Sequence, residues 1–133
     1  MDFNILGVLV WTGVSAVLLF ILMFVDSLFT RYKDFEEVKA GNMAVTTRMV
    51  MKLFAQGFIL SESISTSNVL MDAIVVSIVS FILLLILESI ARLILRAWAN
   101  LELDSGTQQG KVGYGLFAGS LHIVGALIIT ACL

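Results

Sequence analysis

The sequence predicts an all-α, polytopic membrane protein of four transmembrane helices, arranged as two helical hairpins repeated in parallel. Three observations predict it. Hydrophobic residues make up 59% of the 133-residue chain and charged residues only 14%, with no proline, which is too apolar a composition for an ordinary water-soluble domain. Four stretches approach the ~20 residues that cross a hydrocarbon layer about 30 Å thick at about 1.5 Å per residue. All eight Lys and Arg residues fall on one side of the resulting arrangement, as basic residues near span ends do when they are retained in the cytoplasm.

Residues 5–25 form the first span and carry no charge. The segment is a permanent span and not a secretion signal: it lacks a basic start, its apolar run is too long, and no small-x-small site precedes a soluble domain. Residues 26–41 mix acids and bases, with Phe29, Tyr32 and Phe35 spaced to share a helix face. They read either as an interfacial helix leading into the second span or as a short solvated loop with anchoring rings. Residues 43–61 form the second span although Arg48 and Lys52 sit one turn apart within it. Leaving it in water would expose Phe54, Phe58, Ile59 and Leu60 and give an odd number of spans. The stretch "SESISTSN" after it reads as a polar outer turn. Residues 73–95 form the third span, with Glu88 and Arg92, and residues 112–133 the fourth, with His122 as the one side chain there that gains charge near neutral pH.

The basic residues orient this arrangement. Arg31, Lys33 and Lys39 lie in the first connection, Arg48 and Lys52 in the adjoining half of the second span, Arg92 and Arg96 near the end of the third, and Lys111 before the fourth. The opposite connection and the N-terminus carry acids without Lys or Arg, so both termini are expected outside the cytoplasm. Phe29, Tyr32, Phe35, Trp98 and Tyr114 cluster near the expected inner interface, where amphipathic rings settle.

An offset of 69 residues sets Asn42 on Lys111, "AGNMAV" on "QGKVGY", and the acidic stretches "DFEEVKA" and "ELDSGTQQ" beside each other. It also lays the first span on the third and the second on the fourth. We read one membrane domain, residues 1–133, built as a pseudo-repeat of residues 1–66 and 70–133. Such parallel repeats are related by an axis along the membrane normal.

The mixed-charge connection ending in "GNMAV", the polar-tolerant second span and the small-residue final helix ending in "ITACL" resemble the YjfL-like family of small bacterial inner-membrane proteins, domain of unknown function 350. The resemblance covers nearly the whole chain. Its Asn-x-Ala entry to the second span is carried by Asn42 and Ala44, and its run of small residues in the last helix by Gly113, Gly115 and Gly119. Met51 and Ala55 stand where the family usually has glycines, and Lys111 where it has Asn, so Arg48 and Lys52 look like additions of this member. The resemblance implies a location in the bacterial inner (plasma) membrane and no established chemistry.

An ionisable side chain within a span is costly and marks a functional-site hypothesis, here a cluster of Arg48, Lys52, Gln56, Glu88, Arg92 and His122. For each cation the competing reading is snorkelling, the long stem returning the charge to the headgroups. Glu88 is too short to snorkel far. It pairs either with Arg92 at i+4 on its own helix or with Lys52 or Arg48 on the second span, and we expect Glu88 to hold Lys52. His122 and Gln56 lie near span centres, His122 as a neutral packing residue or a proton carrier. It has no second histidine or acid at its depth, so no metal site is expected. Lone Cys132 offers neither an internal disulfide nor metal spacing and reads as a packing residue. Gly57, Gly113, Gly115 and Gly119 are the candidate helix-packing positions. Gly115 and Gly119 form a GxxxG on the last helix, through which association with a second copy or a membrane partner is expected.

No phosphate-binding loop, nucleophile and base pair, or cofactor signature is present, so we expect no enzyme, no cofactor and no nucleic-acid partner. The partners expected are the lipid bilayer and either further copies or another membrane protein. The function expected is a non-enzymatic oligomeric scaffold or accessory subunit of a membrane complex. The alternative is a small channel or transporter with Lys52, Gln56, Glu88 and His122 along a polar route. Four helices seldom enclose a path, so that alternative also requires oligomerisation. Small four-helix exporters compare only in size, because their coupling acid lies in the first span and this span has none.

Overall fold

The structure is a computed structural model that describes residues 4–30 and 32–133. Arg31, one of the residues used above to orient the chain, lies outside the described residues, as do residues 1–3. The elements are α1 (Ile5–Ser27), α2 (Asp34–Lys39), α3 (Met43–Thr66), α4 (Leu70–Ala99), α5 (Leu103–Gln108) and α6 (Val112–Ala131). The described residues contain no strand. Four of the helices, α1, α3, α4 and α6, are long and apolar enough to cross a membrane, so the chain has the all-α, four-span architecture expected.

Two spans run further than their apolar cores. At the end of α3, Ser63 Oγ donates to the Ile59 carbonyl at 2.8 Å and Thr66 Oγ1 to that of Glu62 at 2.8 Å. These local bonds satisfy the polar side chains without leaving the helix, so "SESIST" extends α3 to Thr66. Helix α4 continues to Ala99 and stops where Asn100 turns left-handed at φ 52°, a conformation that Asn tolerates better than most residues.

The connections explain how the helices meet. Helices α2 and α5, each six residues long, begin 69 positions apart and are followed by Gly41 at φ 85° and Gly110 at φ 84°. Both glycines occupy the left-handed region that a side chain would strain. Asn42 then caps α3, its Oδ1 accepting from the amides of Ala44 and Val45 at 3.1 and 3.3 Å. Its Nδ2 donates to Glu37 Oε2 at 3.1 Å and to the Gln108 carbonyl at 2.9 Å, which ties the first connection to the second. Lys111, the counterpart at α6, has no side-chain acceptor and makes no cap.

The core lies between α3, α4 and α6. Ala44 is fully buried, and a Cβ on Gly115 would drive into its carbonyl oxygen, while one on Gly119 would meet Met51 and one on Gly125 Leu84. Small residues thus let α6 approach backbone to backbone, the packing that stands in for a hydrophobic driving force between helices in lipid. This corrects the expected use of Gly115 and Gly119: they face α3 within the chain and are not open to a second copy. Gly57 and Gly113 have no atom within 4 Å of a notional Cβ and look outward. Further along, Ala55, Ile59, Leu84 and Ala126 close the bundle as an apolar layer. Of α1, Leu22 and Asp26 are buried, while Leu6, Leu9, Phe20 and Phe24 are exposed, a surface suited to hydrocarbon.

Candidate functional site

The inward face of α3 is set by its four-residue recurrence: Ala44, Arg48, Lys52, Gln56 and Leu60 are all buried. Residues four apart lie on one helix face, so the packing that buries Ala44 against α6 carries both cations inward. Arg48 is 3% exposed and Lys52 2%. Neither snorkels.

Each cation finds an acid on another element. Lys52 Nζ lies 2.9 Å from Asp26 Oδ2, at the end of α1. Arg48 Nη1 lies 2.7 Å from Asp104 Oδ1 of α5 and donates to Tyr32 Oη at 2.9 Å. Arg92 Nη1 reaches the other oxygen of Asp104 at 3.5 Å, so one carboxylate joins α3 to α4. Oε1 of Glu88 meets Nδ1 of His122. A carboxylate oxygen and a bare imidazole nitrogen both accept, so a hydrogen bond between them requires a proton on one of the two.

Glu88 is thus an acid at the depth of His122, where none was expected, and two expected pairings are also corrected. Lys52 is held by Asp26 and not by Glu88, because the last turn of α1 brings a short carboxylate to it on the packed side of α3. Glu88 is not neutralised by Arg92, because Arg92 turns towards α5 and Glu88 faces α6. The cluster gathers Arg48, Lys52, Glu88, Arg92 and His122 as expected and adds Asp26, Tyr32, Asp34 and Asp104. These four lie at or beyond the span ends, where charge reads as solvated. The signal that could have found them is a count: three cations sit in the spans against one acid, Glu88, so acids from the connections must fold back to meet them. Gln56 is buried one turn beyond Lys52, and its Oε1 has no hydrogen-bond partner among the described residues; the same holds for Ser77 Oγ on α4 and Arg48 Nε. No three His, Cys, Asp or Glu residues among those described come together as a metal-binding group. Cys132 is exposed at the end of α6.

Asp26 and Asp34 lie near Lys52, and Asp104 lies beside Arg48 and Arg92, while Glu88 faces His122. The four acids outnumber the three cations by one. The space between Arg48, Glu88, Leu103 and His122 is too tight to admit a water molecule, so the charges solvate one another. Outside the spans, burial pushes the Tyr32 phenol up to about 12, and it stays protonated. Burial also raises the Asp34 carboxyl, against the pull of Lys52 and Arg48. At Asp104 burial is overridden by the charge and hydrogen bond of Arg48, which hold its carboxyl below the usual range.

The two acids therefore have opposite linkage to pH. Asp104, with its lowered value, stabilises the fold above about 3.8 and loses that contribution as pH falls through its folded value. Asp34, with its raised value, opposes folding once it ionises, and the penalty vanishes below about 3.8, where it is protonated in both states. Thermal unfolding in detergent across pH should show Asp104→Asn less stable than wild type near neutrality and Asp34→Asn more stable. Both differences should shrink in acid. Shifts of the same sign in the two variants would contradict these environments.

The family model of the Domain of Unknown Function (DUF350) matches residues 2–133. The chain belongs to this family. No curated protein and no solved structure matches it. In this family member the Asn-x-Ala entry has two physical tasks: Asn42 caps α3 while holding the second connection, and Ala44 is the contact for Gly115.

Proposed function

We propose that the protein is a non-enzymatic subunit of a complex in the bacterial inner membrane, with α2 and α5 on the cytoplasmic side and both termini outside. The observation that carries this reading is the cross-element pairing of the buried charges. Lys52–Asp26 fastens α1 to α3, Arg48–Asp104–Arg92 fastens α5 to α3 and α4, and Glu88–His122 joins α4 to α6. The charges brace a scaffold, with little left over to act on a solute. Self-association or a membrane partner belongs to this reading, through the lipid-facing sides of α1 and α4, since the small residues of α6 are used within the chain.

Crosslinking in native membranes should yield a discrete complex containing the chain, and purified protein in liposomes should leave ion gradients intact. A monomer in membranes together with sustained ion flux would overturn the proposal. One observation favours the alternative of a channel or transporter: Gln56 Oε1 and Ser77 Oγ are buried without hydrogen-bond partners among the described residues. Proton flux into liposomes that Glu88→Gln abolishes would support that second reading.

The orientation has its own test. Lys39→Cys and Ser65→Cys, each made in a Cys132→Ala background, place single thiols at the end of α2, which precedes α3, and near the far end of α3. An impermeant thiol reagent on intact cells should label position 65 and spare position 39. The reverse pattern contradicts the proposed topology.

A further inference from the structure

Two spaces on the α1–α4 side of the bundle run into one another. At the α5 end, a cleft of about 290 Å³ is lined by Arg92, Arg96, Glu102 and Asp104, together with Phe29 and Ser89. Phe29 and Ser89 also border a groove of about 480 Å³ between α1 and α4, whose other walls include Val25, Phe81, Ile82, Leu85 and Ile86. The first space is charged and the second apolar, and they meet at Phe29 and Ser89. Their volumes are on the scale of small-ligand sites, about 300–1,000 Å³.

The charge pattern of the cleft selects among amphiphiles. Arg92 and Arg96 are four residues apart and share a face of α4. Glu102 and Asp104 stand opposite them on the α5 side, with Arg96 Nε 3.3 Å from Glu102 Oε1 and Arg92 Nη1 3.5 Å from Asp104 Oδ2. Two cations beside two acids do not attract net negative charge. They complement a headgroup that carries both signs a few bonds apart, with the guanidiniums taking a phosphate and the carboxylates an ammonium. The Arg96 and Glu102 side chains, 57% and 42% exposed, are open to a ligand and those of Arg92 and Asp104 are partly so, whereas Lys52–Asp26 and Glu88–His122 are closed.

We infer that this cleft and groove form a binding site for one phospholipid with a phosphoethanolamine headgroup. Its phosphate lies on Arg92 and Arg96, its ammonium on Glu102 and Asp104, and an acyl chain runs in the groove past Leu85 and Ile86. The primary ammonium, unlike a choline head, donates hydrogen bonds to both carboxylates.

Native mass spectrometry of delipidated protein titrated with phosphatidylethanolamine, phosphatidylglycerol or phosphatidylcholine tests the site. Wild type should hold one phosphatidylethanolamine more tightly than either other lipid. Glu102→Gln should weaken phosphatidylethanolamine about fivefold, the scale of one half-exposed charge contact, and raise phosphatidylglycerol. Arg96→Gln should weaken both, and Leu85→Trp, which fills the groove, should remove the tight site for all three. Unfolding temperatures of the variants separate loss of lipid from loss of fold. Should Arg96→Gln or Leu85→Trp fail to fold, the half-exposed Glu102→Gln decides alone. Unchanged relative affinities of phosphatidylethanolamine and phosphatidylglycerol in Glu102→Gln, or uniform weak binding of all lipids to wild type, overturns the inference.

Discussion

Gly115→Ala is expected to destabilise the bundle by at least the ~1–3 kcal/mol typical of overpacking. The added methyl would strike the Ala44 carbonyl oxygen, which is backbone and cannot rotate away. Relief requires α6 to move off α3, which would also loosen Gly119 from Met51 and His122 from Glu88. Gly113→Ala, two residues earlier in α6, meets nothing within 4 Å and should be neutral or slightly stabilising, since Ala is the better helix former. Unfolding of the two variants in detergent, compared at equal membrane insertion, checks the pair. Equal stability of both would mean that α3 and α6 do not approach at Ala44.

Lys52→Met should cost about 3–5 kcal/mol, because it leaves the buried Asp26 side chain without its nearest counter-charge. Asp26→Asn strands Lys52 in the same way. Changing both together should be milder than either change alone, since no buried charge is then uncompensated. Lys52→Met and Glu88→Gln share no direct contact, so their losses should come closer to adding than those of Lys52→Met and Asp26→Asn. A thermal-unfolding cycle over these variants reads both couplings. A large coupling of Lys52 to Glu88 with none to Asp26 would restore the pairing expected from sequence.

The spans were legible because hydrocarbon imposes a length and composition that residues 5–25 and 73–95 satisfy openly. The inward direction of Arg48 and Lys52 was one of two readings, with snorkelling as the other, and the burial of Ala44, Arg48, Lys52 and Gln56 on one face decides it. The partners of the two cations were not legible. A helix pattern says which face a residue shares but not which neighbouring helix presents the matching acid, and the i+4 spacing of Glu88 and Arg92 suggested a local pair that tertiary packing overrode. Asp26 and Asp104 sit where apolar patterning stops, so their burial depends on how the connections fold back over the bundle. Gly115 announced close packing by residue type, but only the approach of Ala44 shows that the contact lies within the chain.

The most direct test of this cross-braced cluster is at its centre. His122 is the only histidine in the chain, so its ring nitrogens can be labelled without ambiguity. Solid-state NMR of protein in bilayers, with 15N in the imidazole and Lys52 ammonium and 13C in the glutamate carboxyls, measures which nitrogen lies against Glu88. We predict a strong dipolar coupling between the Glu88 carboxyl carbon and His122 Nδ1 that vanishes in Glu88→Gln prepared without the carboxyl label. A Glu88 carboxyl coupled to Lys52 Nζ, or to neither nitrogen, would contradict the account.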